Sequence, residues 1–131
     1  MITGGMWETD DMDAKVLVID DDHAVLEALK RVIKHWGGEA HCVDSAVCGA
    51  AAVDSDAYDL ILLDLRMPDH DGLWFMRNAD VPDDTTVVLT SACASPGVVN
   101  AFSKFGVNEI LQKPISYADL TGLLNRYGAT A

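Results

Sequence analysis

The chain has 131 residues, 50% of them hydrophobic, with 10 Gly and 4 Pro. That length and apolar content fit one domain with its own core and exclude a largely disordered polymer. Nine basic residues against 21 acidic ones leave a formal charge of −12, which repels phosphate backbones and anionic lipids, argues against direct nucleic-acid binding, and suits metal cations or basic partners.

Residues 1–14, with Gly4-Gly5 and a cluster of acids, read as a flexible acidic tail before a domain over 15–127, and 128–131 as a short C-terminal tail. Residues 16–19 are a continuous apolar run, the mark of a strand buried on both faces. From Asp22 to Trp36, Val25, Leu26, Leu29, Val32 and Ile33 recur at helical spacing, with Asp22 as N-cap and Gly37-Gly38 as the stop. Residues 39–43 suit a second strand, and 45–53, Ala-rich behind the cap Ser45, a second helix. A third strand is predicted over 60–63, then a loop with Pro68 and Asp71-Gly72, a short helix over 73–79 and a turn over 81–84. Residues 86–90 read as a strand, 97–105 as a helix stopped by Gly106, and 107–111 as the fifth strand. Ser116 and Asp119 resemble a capping box opening a last helix, whose Leu120, Leu123, Leu124 and Tyr127 share a face.

No apolar stretch approaches the ~20 residues that span a bilayer, and residues 1–13 lack the pattern of a signal peptide. Cys42, Cys48 and Cys93 form no CxxC and match no zinc spacing. Reduced thiols in a cytoplasmic protein, without membrane insertion, are therefore expected.

Strands alternating with helices predict an α/β fold: a doubly wound, five-stranded parallel sheet with five helices. Such sheets bind ligands beyond the carboxyl ends of their strands, where the strand order switches. The residues at those ends are Asp20-Asp21-Asp22, Asp64, Thr90-Ser91 and Lys113-Pro114. Clustered carboxylates raise one another's pKa unless a cation joins them, and an oxygen-only cluster suits Mg²⁺. An aspartate can also be the nucleophile of phosphoryl transfer. That chemistry needs a metal, a second cation and a hydroxyl donor around the phosphoryl oxygens. Asp64, Asp20 with Asp21, Lys113 and Thr90 would supply these parts.

In VLVIDDD (16–22), LILLDLRMPDHDG (60–72), VVLTSA (87–92) and LQKPI (111–115), the chain resembles the receiver domains of two-component response regulators, over residues 15 to about 127. The resemblance implies a flavodoxin-like fold. It makes Asp64 the phospho-acceptor, supplied by a histidine kinase or histidine phosphotransfer protein, and not an enzyme acting on a separate substrate. It makes Asp21 a direct Mg²⁺ ligand, Asp20 a ligand through water, and the Arg66 backbone carbonyl a further ligand beside Asp64. Thr90 becomes the switch hydroxyl, Lys113 the partner of the aspartyl phosphate, and Lys113-Pro114 a candidate cis peptide. It also assigns Arg66 and Ala92 a part in phosphoryl lifetime. The downstream protein, a phosphorylation-dependent dimer, and a stand-alone, relay or fragment context all stay open.

One position departs from the family pattern. Three residues before the lysine, where many receivers carry Tyr or Phe, stands Ile110. It has no ring to swing inward, so a receiver-like adaptor that binds without switching is an alternative. An aspartyl-nucleophile phosphatase is a further one, although Arg66 stands where that pattern has a second acid. His23, beside the acids, is read as a polar first-turn residue rather than a ligand.

Overall fold

The computed structural model describes residues 14–93 and 95–128. The acidic segment 1–13 and residues 129–131 of the C-terminal tail lie outside the described residues. Ala14, grouped with the tail above, is buried, and its carbonyl accepts from the Glu39 amide at 2.8 Å.

Five strands, β1 (Lys15–Ile19), β2 (Glu39–Val43), β3 (Leu60–Asp64), β4 (Thr86–Ser91) and β5 (Glu109–Gln112), form one parallel sheet in the order β2-β1-β3-β4-β5. The order reverses beside β1, which pairs with β2 on one side and β3 on the other. The period of two along β1 sends Val16 and Val18 to one face and Leu17 and Ile19 to the other. The first face packs against Leu26, Leu29 and Ile33 of α1 (His23–His35) and Leu120 and Leu123 of α5 (Tyr117–Leu123). The second packs against α2 (Ala46–Ser55), α3 (Gly72–Asn78) and α4 (Pro96–Ser103), where Ala52, Val53, Phe75 and Phe102 are buried. Burial on both faces is why β1 and β3 read as unbroken apolar runs.

The expected caps are present. The Asp22 carboxylate accepts from the Ala24 and Val25 amides, Ser45 Oγ from Cys48, and Ser116 with Asp119 closes a capping box. Boundaries differ where side chains replace backbone pairing. The Asn108 side chain accepts from the Val87 amide at 3.0 Å while its own amide donates to the Val87 carbonyl at 2.8 Å, so β5 begins at Glu109, not at 107. Helix α4 stops at Ser103, and the chain turns through Lys104 to Gly106, whose φ of 76° suits glycine. After Leu123 the last helix widens into a π turn, Leu124–Gly128. There Arg126 donates two hydrogen bonds of 3.0 Å to Glu109, which also accepts from the Tyr127 hydroxyl at 2.5 Å.

Phe75 is fully buried on the second face. Phe75→Ala is expected to cost about 3–5 kcal/mol, the range for truncating a buried aromatic. Urea denaturation of both proteins measures it; a loss below about 1 kcal/mol would mean that α3 packs otherwise.

Candidate functional site

Each side chain at the rim is delivered by a strand end. Asp20 follows β1, Asp64 closes β3, Thr90 lies in β4 opposite Asp64 in register, and Lys113 follows β5. The Lys113 amide donates to the Ser91 carbonyl at 2.7 Å, and the Lys113–Pro114 bond is cis. Asp20 and Asp64 are 2% and 6% exposed, so these two charges need partners inside the rim.

One cation serves both. Lys113 Nζ stands 2.7 Å from Asp20 Oδ2 and 3.3 Å from Asp64 Oδ1. The other Asp20 oxygen accepts the Asp22 amide at 2.9 Å, which ties the carboxylate to the start of α1. The Arg66 backbone amide, two residues on, also favours the ionised Asp64 carboxyl. Burial, and then the charge of Asp20, push the Asp64 carboxyl from 3.8 up to about 6, against the pull of Lys113. Burial pulls the Lys113 ammonium down, but bonding and attraction to Asp20 and Asp64 outweigh it, so its pKa rises. The lysine thus stays charged while negative charge at Asp64 remains under-compensated.

Asp20, Asp21 and Asp64 each offer a carboxylate oxygen, all within 4.8 Å of one another, with Asp21 exposed to solvent. Three hard oxygen donors, one open to water, with unneutralised charge on Asp64 fit Mg²⁺. Thr90 is buried, and its hydroxyl donates to the Leu63 carbonyl at 3.5 Å, a bond long enough to give up cheaply. Gly72 keeps the following loop close: a Cβ there would lie 3.3 Å from the Asp64 carbonyl oxygen and from Leu65 Cα.

Asp20, Asp21, Asp64, Thr90 and Lys113 therefore converge as the strand pattern predicts, and Arg66 follows Asp64 in the loop that leaves the rim. His23 does not join them; its ring lies 3.1 Å from Asp44, both side chains exposed. Ile110 is partly buried in the second core face. Beside Lys113 lies an open groove of about 340 Å³ lined by Asp22, Val25, Ala28, Leu29, Pro114 and Ile115. Val25 and Leu29 could be seen in the helical stripe, but their meeting with Pro114 and Ile115 joins distant segments and has no local signal. Among the described residues, no helix is long and apolar enough to cross a membrane.

The sequence pattern of the response regulator receiver domain matches residues 16–125. The response regulator protein TmoT of Ectopseudomonas mendocina is 30% identical over 122 residues, covering 92% of this chain and 55% of that protein. Hybrid signal transduction histidine kinase L of Dictyostelium discoideum is 30% identical over 127 residues, covering 87% of this chain and 7% of its own length. The chain thus spans about half or less of these curated relatives. Among solved structures, a receiver domain protein (CheY-like) from Methanospirillum hungatei superposes with a TM-score of 0.82 at 22% identity, covering 87% of this chain and 92% of that one. Chemotaxis protein CheY4 of Vibrio cholerae does so at 0.81 and 22%, covering 87% and 98%. At that identity, the structural matches speak for the five-stranded doubly wound fold alone.

The Asp64 environment makes a prediction. A folded-state pKa of about 6 against 3.8 means the folded chain binds the proton more tightly than the unfolded one, so stability is lost as pH rises through about 4 to 6. Without divalent metal, Asp64→Asn should be more stable than wild type at pH 7.5 by roughly 1–3 kcal/mol, at about 1.4 kcal/mol per pKa unit. The gap should close toward pH 4. Denaturation with EDTA at both pH values measures it; equal stability at pH 7.5 would show that the carboxylate carries no such burden.

Proposed function

The chain belongs to the response regulator receiver family, and on that premise we propose that it accepts a phosphoryl group on Asp64 with Mg²⁺ and switches a protein-interaction face in response. The observation that carries this reading is the under-compensated Asp64 carboxylate, held between Lys113, Asp20 and the Arg66 amide. The donor would be a histidine kinase or histidine phosphotransfer protein, the protein cytoplasmic, and the only turnover that of its own aspartyl phosphate.

Asp64 acts as the nucleophile: a carboxylate oxygen attacks phosphorus as the bond to the donor nitrogen breaks. Asp20, Asp21, Asp64 and the Arg66 carbonyl would hold Mg²⁺, which would supply positive charge against the phosphoryl oxygens. Lys113 already stands 3.3 Å from Asp64 and can follow the added negative charge while keeping Asp20. The Thr90 hydroxyl leaves the 3.5 Å bond to the Leu63 carbonyl for a phosphoryl oxygen, a charged acceptor and so a better one. Phosphorylation adds attraction in one state only, which is what a population shift requires. The groove beside Lys113 would seat the donor next to the acceptor.

With Ile110 in place of a ring, the movement passes by packing. Ile110 lines a depression with Val99, Phe102 and Val107 between α4 and β5, so a displaced Thr90 repacks that wall instead of turning an aromatic. Beryllofluoride with Mg²⁺, as a phosphoryl mimic, should shift backbone NMR resonances at Thr90 and Lys113 and through Glu109 to Gln112. Thr90→Ala should keep the rim shifts and lose those along β5. Shifts confined to the rim in wild type would favour the non-switching adaptor, and turnover of p-nitrophenyl phosphate the phosphatase.

A further inference from the structure

Four amides open α2, and Ser45 and a side chain from another element divide their satisfaction. The Gly49 amide donates to the Ser45 carbonyl at 3.0 Å and the Cys48 amide to Ser45 Oγ at 3.1 Å, as an ordinary N-cap provides. The remaining two are taken from another element. The Ala46 amide donates to Asp69 Oδ1 at 3.3 Å and the Val47 amide to Asp69 Oδ2 at 3.2 Å. Asp69 belongs to the loop between β3 and α3, which leaves the rim immediately after Asp64. Helix α2 has no acid in its own first turn, so this borrowed carboxylate also supplies the negative charge that a helix N-terminus favours. Amides of His70, Val47, Ala46 and Asp69 itself outweigh burial and hold the Asp69 carboxyl below its ordinary range.

The loop is closed at its base. The Gly72 amide donates to the Leu65 carbonyl at 2.7 Å, and the Leu65 amide to the Thr90 carbonyl at 2.9 Å. Met67 packs beneath it on the second core face, and His70 stacks on Trp74 of α3 with ring centroids 4.1 Å apart. Among the described residues, the side-chain hydrogen bonds from segment 66–70 to another element are those of Asp69. Arg66, three residues earlier and two after Asp64, is the loop residue whose backbone amide favours the ionised Asp64 carboxyl.

We propose that Asp69 is a positioning residue for the acceptor: by clamping the β3–α3 loop onto the first turn of α2, it holds the Arg66 backbone against Asp64. The inference deepens the receiver reading, since the Arg66 carbonyl is a proposed ligand of the metal. It makes α2 a strut for the site. Asp71, two residues on, has a different task and caps α3 through the Trp74 amide at 2.9 Å.

The test compares wild type with Asp69→Ala and Asp69→Asn in the full chain, by amide hydrogen exchange and by Mg²⁺ titration, both read by NMR. In Asp69→Ala, exchange at Ala46, Val47 and Arg66 should accelerate about tenfold or more, while Leu62 in β3 keeps its protection. Mg²⁺ affinity should fall about fivefold. Asp69→Asn keeps one acceptor oxygen and should lie between the two, and it carries the comparison if the alanine variant does not fold. Unchanged exchange at Ala46 and Val47 overturns the clamp. Faster exchange there with Arg66 at the wild-type rate overturns the positioning role and leaves Asp69 a helix cap alone, as does wild-type Mg²⁺ affinity in a variant whose clamp amides have loosened. If wild type itself takes up no Mg²⁺, the receiver reading falls, and the Arg66 exchange rate alone decides the proposal.

Discussion

Two buried carboxylates share one lysine, and most of the structure can be understood as the means of holding that arrangement. Asp20, just past β1, and Asp64, at the end of neighbouring β3, sit at the reversal of strand order, where like charges are forced together. Lys113 reaches both from the far edge of the sheet, anchored by its amide on Ser91. One positive charge between two negative ones leaves a deficit, and together with burial, the larger cause, it raises the pKa of Asp64. A site in this condition gains from a second cation and can afford a further anion only when that cation is present.

The rest of the fold keeps the deficit from being relieved in a trivial way. Strands β1 and β3 are buried on both faces, so neither carboxylate can turn to bulk solvent without opening the core. Gly72 lets the loop after Asp64 fold back so closely that a Cβ there would lie 3.3 Å from the Asp64 carbonyl oxygen, and the proposed Asp69 clamp would hold that loop against α2. On the opposite side, the Thr90 hydroxyl spends itself on a long bond to a backbone carbonyl. The receiver reading assigns these parts to one event, a phosphoryl group arriving at Asp64. On that reading, Ile110 in place of the usual aromatic would move the consequence from ring rotation to repacking between β5 and α4.

What could be read from the residues follows the physics of each element. Runs such as 16–19 and 60–63 stand out because a strand covered on both faces needs apolar side chains at every position. Caps at Asp22, Ser45 and Ser116 act within one turn, so their spacing is local and legible. Site residues at strand ends were legible because parallel topology sends every carboxyl end to one rim. The start of β5 was not, because the Asn108 side chain takes a place on the ladder that backbone periodicity assigns to the strand. Nor were the groove beside Lys113 or the Asp69 clamp, each of which joins segments far apart in sequence. Such contacts depend on how two elements meet, and neither segment carries a pattern announcing the other.

The most direct measurement is intact-mass spectrometry after incubation with acetyl phosphate and Mg²⁺, with Asp64→Asn and an EDTA-treated sample alongside, repeated with histidine kinases as donors. The account predicts a single phosphoryl adduct on wild type that is absent from the mutant and from the metal-free sample. An unmodified mass with every donor, or an adduct that persists in Asp64→Asn, would contradict it.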